Sequence, residues 1–443
     1  MNLDIAKRKI GRRNFLKAIG GSSALAALGT TAVICGPKRG RPVRAALIGY
    51  GEQGKVLEAS IDPNITNLVA ICDIRPLNQT ETGEDQRIKR YQNWQQLLAD
   101  EQIEAVLVAT PPASHAEIAI GCLDAGKHVF CETAIAIEAD DSERMMIAAR
   151  KNQRLLHIGY QDFYQPLLWA AYRNIVKPGL LGDTYTVEAA WHTATSGRIA
   201  VDPGAPSFDP RPWGYASMEQ LVNWRLYQRY SNGLMGEWGG ALVSTINWFL
   251  DATPISVLAT GGIYSYQDGR DVADHVYATL VYPNGRTATL SLIQSNGFEG
   301  SYVQFMGKRA TLIVGQDEAL LFAEDADKRT TMTAANINAS RAVVDTSASR
   351  SEEASDHSTM TQGPGSGKAS RLEAFRQEIA AFCGAIRADA PLRVQPTHAR
   401  DVLLTCLAVN DAIVRKQMPN PQMLSTTPER GSMKSGGRRP EHA

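Results

Sequence analysis

The stretch from Arg44 to Gly54, RAALIGYGEQG, constrains the fold more than any other part of the chain. An apolar run ending in Gly49, Gly51 and Gly54 is a strand turning tightly into a helix. The first glycine permits the turn, the second lets the backbone approach a pyrophosphate, and the third lets the helix pack close on the strand. Lys55 to Ser60 can open that helix, with its N-terminal amides facing the phosphates. A second apolar run, Asn67 to Cys72, ends in Asp73. That is roughly 20 residues beyond the last glycine, where a carboxylate accepts hydrogen bonds from a ribose hydroxyl. The pattern predicts a dinucleotide site drawn from Gly49, Tyr50, Gly51, Glu52, Gln53, Gly54, Asp73, Ile74 and Arg75. Asp73 disfavours a 2′-phosphate and Arg75 can offset it, so NAD(H) is expected with a mild preference over NADP(H).

β-rich apolar runs continue at Ala105 to Ala109, His128 to Cys131 and Leu155 to Ile158. Helical patterns separate them at Trp94 to Ala99, His115 to Ala125 and Asp141 to Lys151. Strands spaced by helices imply a doubly wound parallel sheet with right-handed crossovers, ending near Gly159. Beyond a helix from Gln165 to Val176, six β-branched or alternating runs between Thr184 and Val314 predict a large open, mainly antiparallel sheet. Pro283-Asn284-Gly285 marks a hairpin. Leu234 to Leu250, Leu372 to Ile386 and His398 to Lys416 read as helices, and Pro203 to Tyr215 as a proline-rich loop. The expected organisation is an N-terminal segment over 1–36, a nucleotide domain over 37–159 and an α+β domain over 160–324 and 371–418. A flexible insertion over 325–370 and a disordered tail over 419–443 complete it.

The 443 residues suffice for two such domains, and 46 basic residues balance 46 acidic ones, which argues against nucleic acid as a partner. Six scattered cysteines have no zinc-ligand spacing, and no metal site is expected. Near the N-terminus, Arg12 and Arg13 precede an uncharged, moderately apolar run from Ala18 to Cys35. This is the layout of a twin-arginine export signal, with an uncleaved membrane anchor as the alternative. The expected location is therefore periplasmic or membrane-tethered, with the twin-arginine export machinery as a partner and the cofactor bound before export.

The segment Ala109 to Glu132, ATPPASHAEIAIGCLDAGKHVFCE, completes the pattern begun by the glycines. Together with NWRLY (Asn223 to Tyr227) and ATGGIY (Ala259 to Tyr264), the chain resembles the glucose-fructose oxidoreductase, inositol dehydrogenase and MocA family, Gfo/Idh/MocA. The resemblance covers roughly Arg44 to Val314. It implies a Rossmann domain, an α/β second domain, hydride transfer at a nicotinamide and a sugar, polyol or glycoside substrate. It also implies a homo-oligomer, with a hetero-oligomer with a paralogue as the alternative expected of a non-catalytic member. Ala109, Thr110, Pro111, Pro112, His115 and Glu132 join the expected cofactor site.

Three positions depart from the family pattern. The lysine of E-K-P is Thr133, the histidine of D-x-G-x-H-x-x-D is Ala241, and its last aspartate is Ser244. Alanine takes no proton and threonine carries no charge, while a positioned acid/base contributes typically about 10²- to 10⁴-fold. Two readings follow: an oxidoreductase with non-standard acid/base residues, or a catalytically degenerate protein that retains nucleotide. Glu237, Tyr160 and Arg225 are the candidate replacements. His157, Tyr164, His192, Tyr227 and His275 are expected to border the cleft or lie close to it.

Overall fold

The structure, a computed structural model, describes residues 40–77, 88–201, 208–316, 318–324, 333–338, 341–343, 368–388 and 390–415. The expected export signal and the tail from 419 lie outside the described residues. The first sheet comprises β1 (Val43–Ile48), β2 (Thr66–Cys72), β3 (Lys89–Tyr91), β4 (Ala105–Val108), β5 (His128–Glu132) and β6 (Leu156–Gly159). Their order is β3-β2-β1-β4-β5-β6, and every pair is parallel. Strands β4 and β6 are buried along their whole length, because helices cover both faces. That is why such strands read as continuous apolar runs rather than alternating ones.

The connecting helices are α1 (Glu52–Ala59), α2 (Trp94–Leu98), α3 (His115–Asp124) and α4 (Ala139–Asn152). Cys122 and Leu123 of α3 and Met145 of α4 pack with Ala46, Val106 and Val129 on one face of the sheet. The opposite face is covered by α1 and by α8 (Lys368–Ala388), whose Phe375, Ile379 and Phe382 join Leu47, Ile71 and Phe130. A helix expected in the second domain is thus part of the first domain's core. Arg387 ties it there, donating to both oxygens of Glu104 at 2.8 and 2.9 Å.

The second sheet contains β7 (Thr184–His192), β8 (Ser256–Gly262), β9 (His275–Val281), β10 (Thr287–Ile293), β11 (Ser301–Gly307), β12 (Ala310–Val314), β13 (Ala319–Ala323), β14 (Thr333–Asn338) and β15 (Arg341–Val343). Their order is β15-β14-β13-β12-β11-β7-β10-β9-β8. All neighbours are antiparallel except β7 and β10, which run parallel. Asn284 and Gly285 both take positive φ, 66° and 72°, at the β9–β10 turn. Where it is described, the expected flexible insertion over 325–370 carries β14, β15 and the first residues of α8. The β14 sequence TAANIN has too few large apolar residues to leave a period in the sequence.

One face of this sheet packs on α7 (Gly240–Leu250) and α9 (Pro396–Arg415), through Val243, Ile246, Val402 and Val409 against Val276, Leu280 and Leu292. Two short helices, α5 (Pro166–Ala171) and α6 (Met218–Val222), precede α7 in the chain, and a π-helical turn, Met235–Gly239, leads into it. The outward-alternating residues include Leu258 and Tyr277, 54% and 45% exposed. Among the described residues no helix is long and apolar enough to cross a membrane.

Candidate active site

At the carboxyl ends of β1 and β4 the strand order reverses, and such switch points are where open α/β sheets take ligands. A cleft of about 790 Å³ starts here and runs to the second domain. Each glycine of the turn has its own steric reason. Gly49 has φ of 91°, and a Cβ there would lie 2.6 Å from the Ala109 carbonyl oxygen; a Cβ on Gly54 would lie 2.1 Å from that of Gly49. Gly51, the N-cap of α1, would meet nothing within 4 Å. The turn therefore packs against protein at two glycines and is open at the third, at the foot of a helix N-terminus. This fits a dinucleotide whose pyrophosphate approaches the backbone at Gly51.

Asp73 is nearly buried and fully engaged. Its carboxylate accepts from the Tyr50 amide at 2.7 Å, from the Arg75 amide at 2.9 Å, and from the Arg75 guanidinium at 3.0 and 3.1 Å. Arg75 also donates to the Tyr50 carbonyl at 3.1 Å. The acid expected to read the ribose is thus charge-paired by the arginine expected to moderate it.

Gly49, Gly51, Glu52, Gln53, Asp73, Ile74, Arg75, Ala109, Thr110, Pro111 and Glu132 all line the cleft. Tyr50, Gly54, Pro112 and His115 are not among its lining residues. Tyr50 turns its hydroxyl to Glu58 at 2.5 Å. His115 is fully buried, with Nδ1 2.8 Å from the Ala134 carbonyl and Nε2 2.7 Å from the Thr110 carbonyl. It clasps two cofactor loops together, and burial lowers its pKa.

At the far end, Thr133, Tyr160, Arg225, Glu237 and Ala241 line the same cleft. Ser244 does not: it is fully buried, and its hydroxyl lies 2.9 Å from Nε2 of His398 on α9. Burial pushes that imidazole down to about 4. Its ring stands edge-on to Tyr160 and Phe163 at 5.6 and 5.1 Å. Glu237 accepts from Arg225 Nε and from the Ser231 hydroxyl, each at 3.0 Å, one on each oxygen. Arg225 in turn stacks over Trp224 at 4.1 Å. Both oxygens of the expected general base are thus committed to a wall contact.

A group of buried acids lies below this end. The Gln53 amide donates to Glu132 at 2.7 Å, and burial together with the nearby Glu378 carboxyl pushes Glu132 up to about 8. The same two causes push Asp162, a cleft-lining residue, up to about 7. Glu378 accepts from the Tyr160 amide at 2.8 Å and lies 2.9 Å from His157 Nε2. Burial raises the pKa of the acid well above its ordinary value and lowers that of His157 to about 3.

Of the other aromatic and histidine residues expected near the cleft, none lines it. His157 sits in the core against Phe130, and Tyr164 is buried beside it. Tyr227 bonds Glu219 at 2.5 Å, while His192 bonds Ser291 and His275 bonds Asp274. For His192 the reason is strand alternation at β7: Trp191 turns inward to stack on Trp238 at 5.7 Å, which turns His192 outward. The sequence reading missed Asp162, Glu378 and His398, and did not single out Trp191, Trp238 or Tyr215 as cleft residues. Among the described residues no group of three His, Cys, Asp or Glu side chains could hold a metal ion.

Fold and cleft define a two-domain protein with a Rossmann-type nucleotide site. A model described as "Oxidoreductase family, NAD-binding Rossmann fold" matches residues 43–160, and a GFO/IDH/MocA C-terminal domain model matches 169–313. The chain belongs to the Gfo/Idh/MocA family, and its first domain is an NAD-binding Rossmann domain. It is similar to inositol 2-dehydrogenase of Salmonella typhimurium, 27% identical over 160 residues, which are 35% of this chain and 47% of that protein. The chain thus spans about half the length of the first curated relatives it matches. A glycosyl hydrolase family 109 protein of Stenotrophomonas maltophilia is 26% identical over 321 residues, 63% of this chain and 68% of that one. A solved levoglucosan dehydrogenase in complex with NADH and L-sorbose shares the fold, with a TM-score of 0.65 at 17% identity over 85% of this chain and 98% of that one.

Proposed function

We propose that the protein is an NAD(P)-dependent oxidoreductase acting on a sugar, polyol or glycoside, with acid/base residues other than the family's lysine and histidine. The observation that carries this reading is the continuity of the cleft, from the open turn at Gly51 to Thr133, Ala241 and the stacked Trp191–Trp238 pair. When bound, the dinucleotide supplies a two-electron acceptor or donor at its nicotinamide ring. The α1 amides and Gly51 hold its phosphates, and Asp73 with Arg75 reads its ribose, NAD being preferred and NADP tolerated. Indole faces suit the apolar face of a sugar ring, and Arg225 offers donors to its hydroxyls. The named substrates and ligands of the inositol and levoglucosan dehydrogenases support a sugar or polyol substrate.

Export by the twin-arginine route, with nucleotide already bound, belongs to the same proposal and rests on Arg12, Arg13 and the apolar run after them. So does a homo-oligomer, or a hetero-oligomer with a paralogue, formed through the uncovered sheet face that carries Leu258 and Tyr277. The test is to load the protein with NAD or NADP and follow nicotinamide absorbance on adding myo-inositol, levoglucosan and a panel of sugars and glycosides. Reduction by one of them is the expected result. Binding of nucleotide with no reduction by any would favour the second reading, a nucleotide-holding partner without turnover, for which Thr133 and Ala241 speak.

A further inference from the structure

We propose that Asp162 is the group that receives the substrate's hydroxyl proton, in place of the imidazole that Ala241 lacks. The inference rests on the oxidoreductase reading above. Asp162 follows β6 in the short turn Gln161–Tyr164, lines the cleft beside Tyr160, and is 4% exposed. Its carboxyl is hydrogen-bonded to the hydroxyl of Thr245. On α7, Ala241 and Thr245 stand one turn apart on one helix face, so the bond to Thr245 ties the carboxyl to the helix face that carries position 241, and both Asp162 and Ala241 line the cleft.

The other acids near this end of the cleft are already engaged. Glu237 has both oxygens occupied, by Arg225 and Ser231. Glu132 accepts from Gln53 at Oε1, is hydrogen-bonded to the Thr133 backbone and faces the Arg371 guanidinium. The phenol of Tyr160 is pushed well above its ordinary range by burial, and His398 is turned to Ser244. Asp162 carries one side-chain hydrogen bond, from Thr245, which leaves an oxygen to accept a substrate hydroxyl.

In the oxidative direction the substrate C–H bond breaks and its electron pair leaves with the hydrogen to the nicotinamide of the bound dinucleotide. The O–H bond breaks, its proton goes to Asp162, and the C–O bond becomes a carbonyl. The substrate loses two electrons and two hydrogens; the dinucleotide gains the hydride, and Asp162 releases the proton to water before the next turnover. Burial and the neighbouring Glu378 hold this carboxyl near 7, where a group can both take and give a proton at neutral pH. The titratable groups around it are Glu378 from α8, Tyr160 from its own segment and, packed on that segment from α9, His398 and Cys406.

The test compares the full-length, nucleotide-loaded protein with its Asp162→Asn and Asp162→Glu variants. Asparagine keeps the shape and the Thr245 contact and cannot take the proton. The expected result is nucleotide affinity within about threefold of wild type, kcat lowered at least about 100-fold with KM little changed, and the acid limb of the pH profile lost. Asp162→Glu restores part of the rate. A second readout needs no turnover: the infrared carboxyl band missing from Asp162→Asn titrates near pH 7 and shifts on adding myo-inositol or L-sorbose. If Asp162→Asn fails to fold, Asp162→Glu carries the infrared test through displacement of the same band. A kcat within about threefold of wild type in Asp162→Asn overturns the assignment, as does a band indifferent to pH and to both sugars. A sugar-sensitive, titrating band in a protein that never reduces its nucleotide would keep Asp162 at the substrate and overturn the oxidoreductase reading instead.

Discussion

Replacing Gly51 by alanine separates the role of the turn in folding from its role in binding. The backbone there has φ of −80° and ψ of −162°, open to any residue, and an added Cβ meets no protein atom within 4 Å. At such a site the loss of unfolded-state freedom stabilises the fold by about 0.4–1 kcal/mol. Gly51 also caps α1, where alanine is the poorer residue by a comparable amount, roughly 0.5–1 kcal/mol. The two effects cancel to within about 0.5 kcal/mol, so the melting temperature of the nucleotide-free protein stays within roughly 2 °C of wild type. Binding has no such compensation, because the methyl occupies the approach to the helix amides. Loss of one hydrogen bond to a charged phosphate, about 1.5–3 kcal/mol, weakens nucleotide roughly 10- to 150-fold. Melting curves of the stripped protein and fluorescence titration with NADH measure the two quantities. Gly54→Ala is the control: its Cβ would lie 2.1 Å from a backbone oxygen, so it lowers stability first. Unchanged nucleotide affinity in Gly51→Ala, or a clearly lowered melting temperature, would refute the reasoning.

The remaining predictions concern three ion pairs. Arg387→Met breaks the tie between α8 and Glu104, whose carboxyl the guanidinium holds down at about 2, and costs about 1–2 kcal/mol at pH 7. Because that pKa is depressed, the stabilisation is present above the unfolded carboxyl's value, about 4.3, and is lost as pH falls toward about 2. Melts at the two ends of that window should show the wild-type advantage shrinking. Arg75→Ala leaves the Asp73 carboxylate unneutralised and should weaken NADP relative to NAD by about tenfold or more; equal losses for both would remove Arg75 from cofactor choice. Glu237→Gln should lower kcat by less than about tenfold, as expected of a wall residue rather than a base. Arg225→Ala, which strands the Glu237 carboxyl, should cost roughly 3 kcal/mol in denaturant titrations.

What could be read in the sequence depended on how local each feature is. Strands such as β4 and β6 are buried throughout and announce themselves as apolar runs, and the glycine turn carries its reasons within a few residues. Strand β3, with three polar residues at the sheet edge, has no period to detect. The parallel pairing of β7 with β10 depends on where the intervening strands go, which no local pattern records. In the site, the Glu237–Arg225 pairing could be weighed because both lie close in one segment. Ser244–His398 and His157–Glu378 join residues far apart in sequence, and nothing in the neighbourhood of either partner marks it. Asp162, in a turn between two tyrosines, reads as an ordinary turn residue until Thr245 is brought against it.

The measurement that tests the central claim most directly is the nucleotide content of the protein itself. Purified from the cytoplasm with its N-terminal segment intact, it should release stoichiometric NAD(H) or NADP(H) on denaturation, identified by mass spectrometry. Protein that releases none, and binds neither when they are added, would contradict the account.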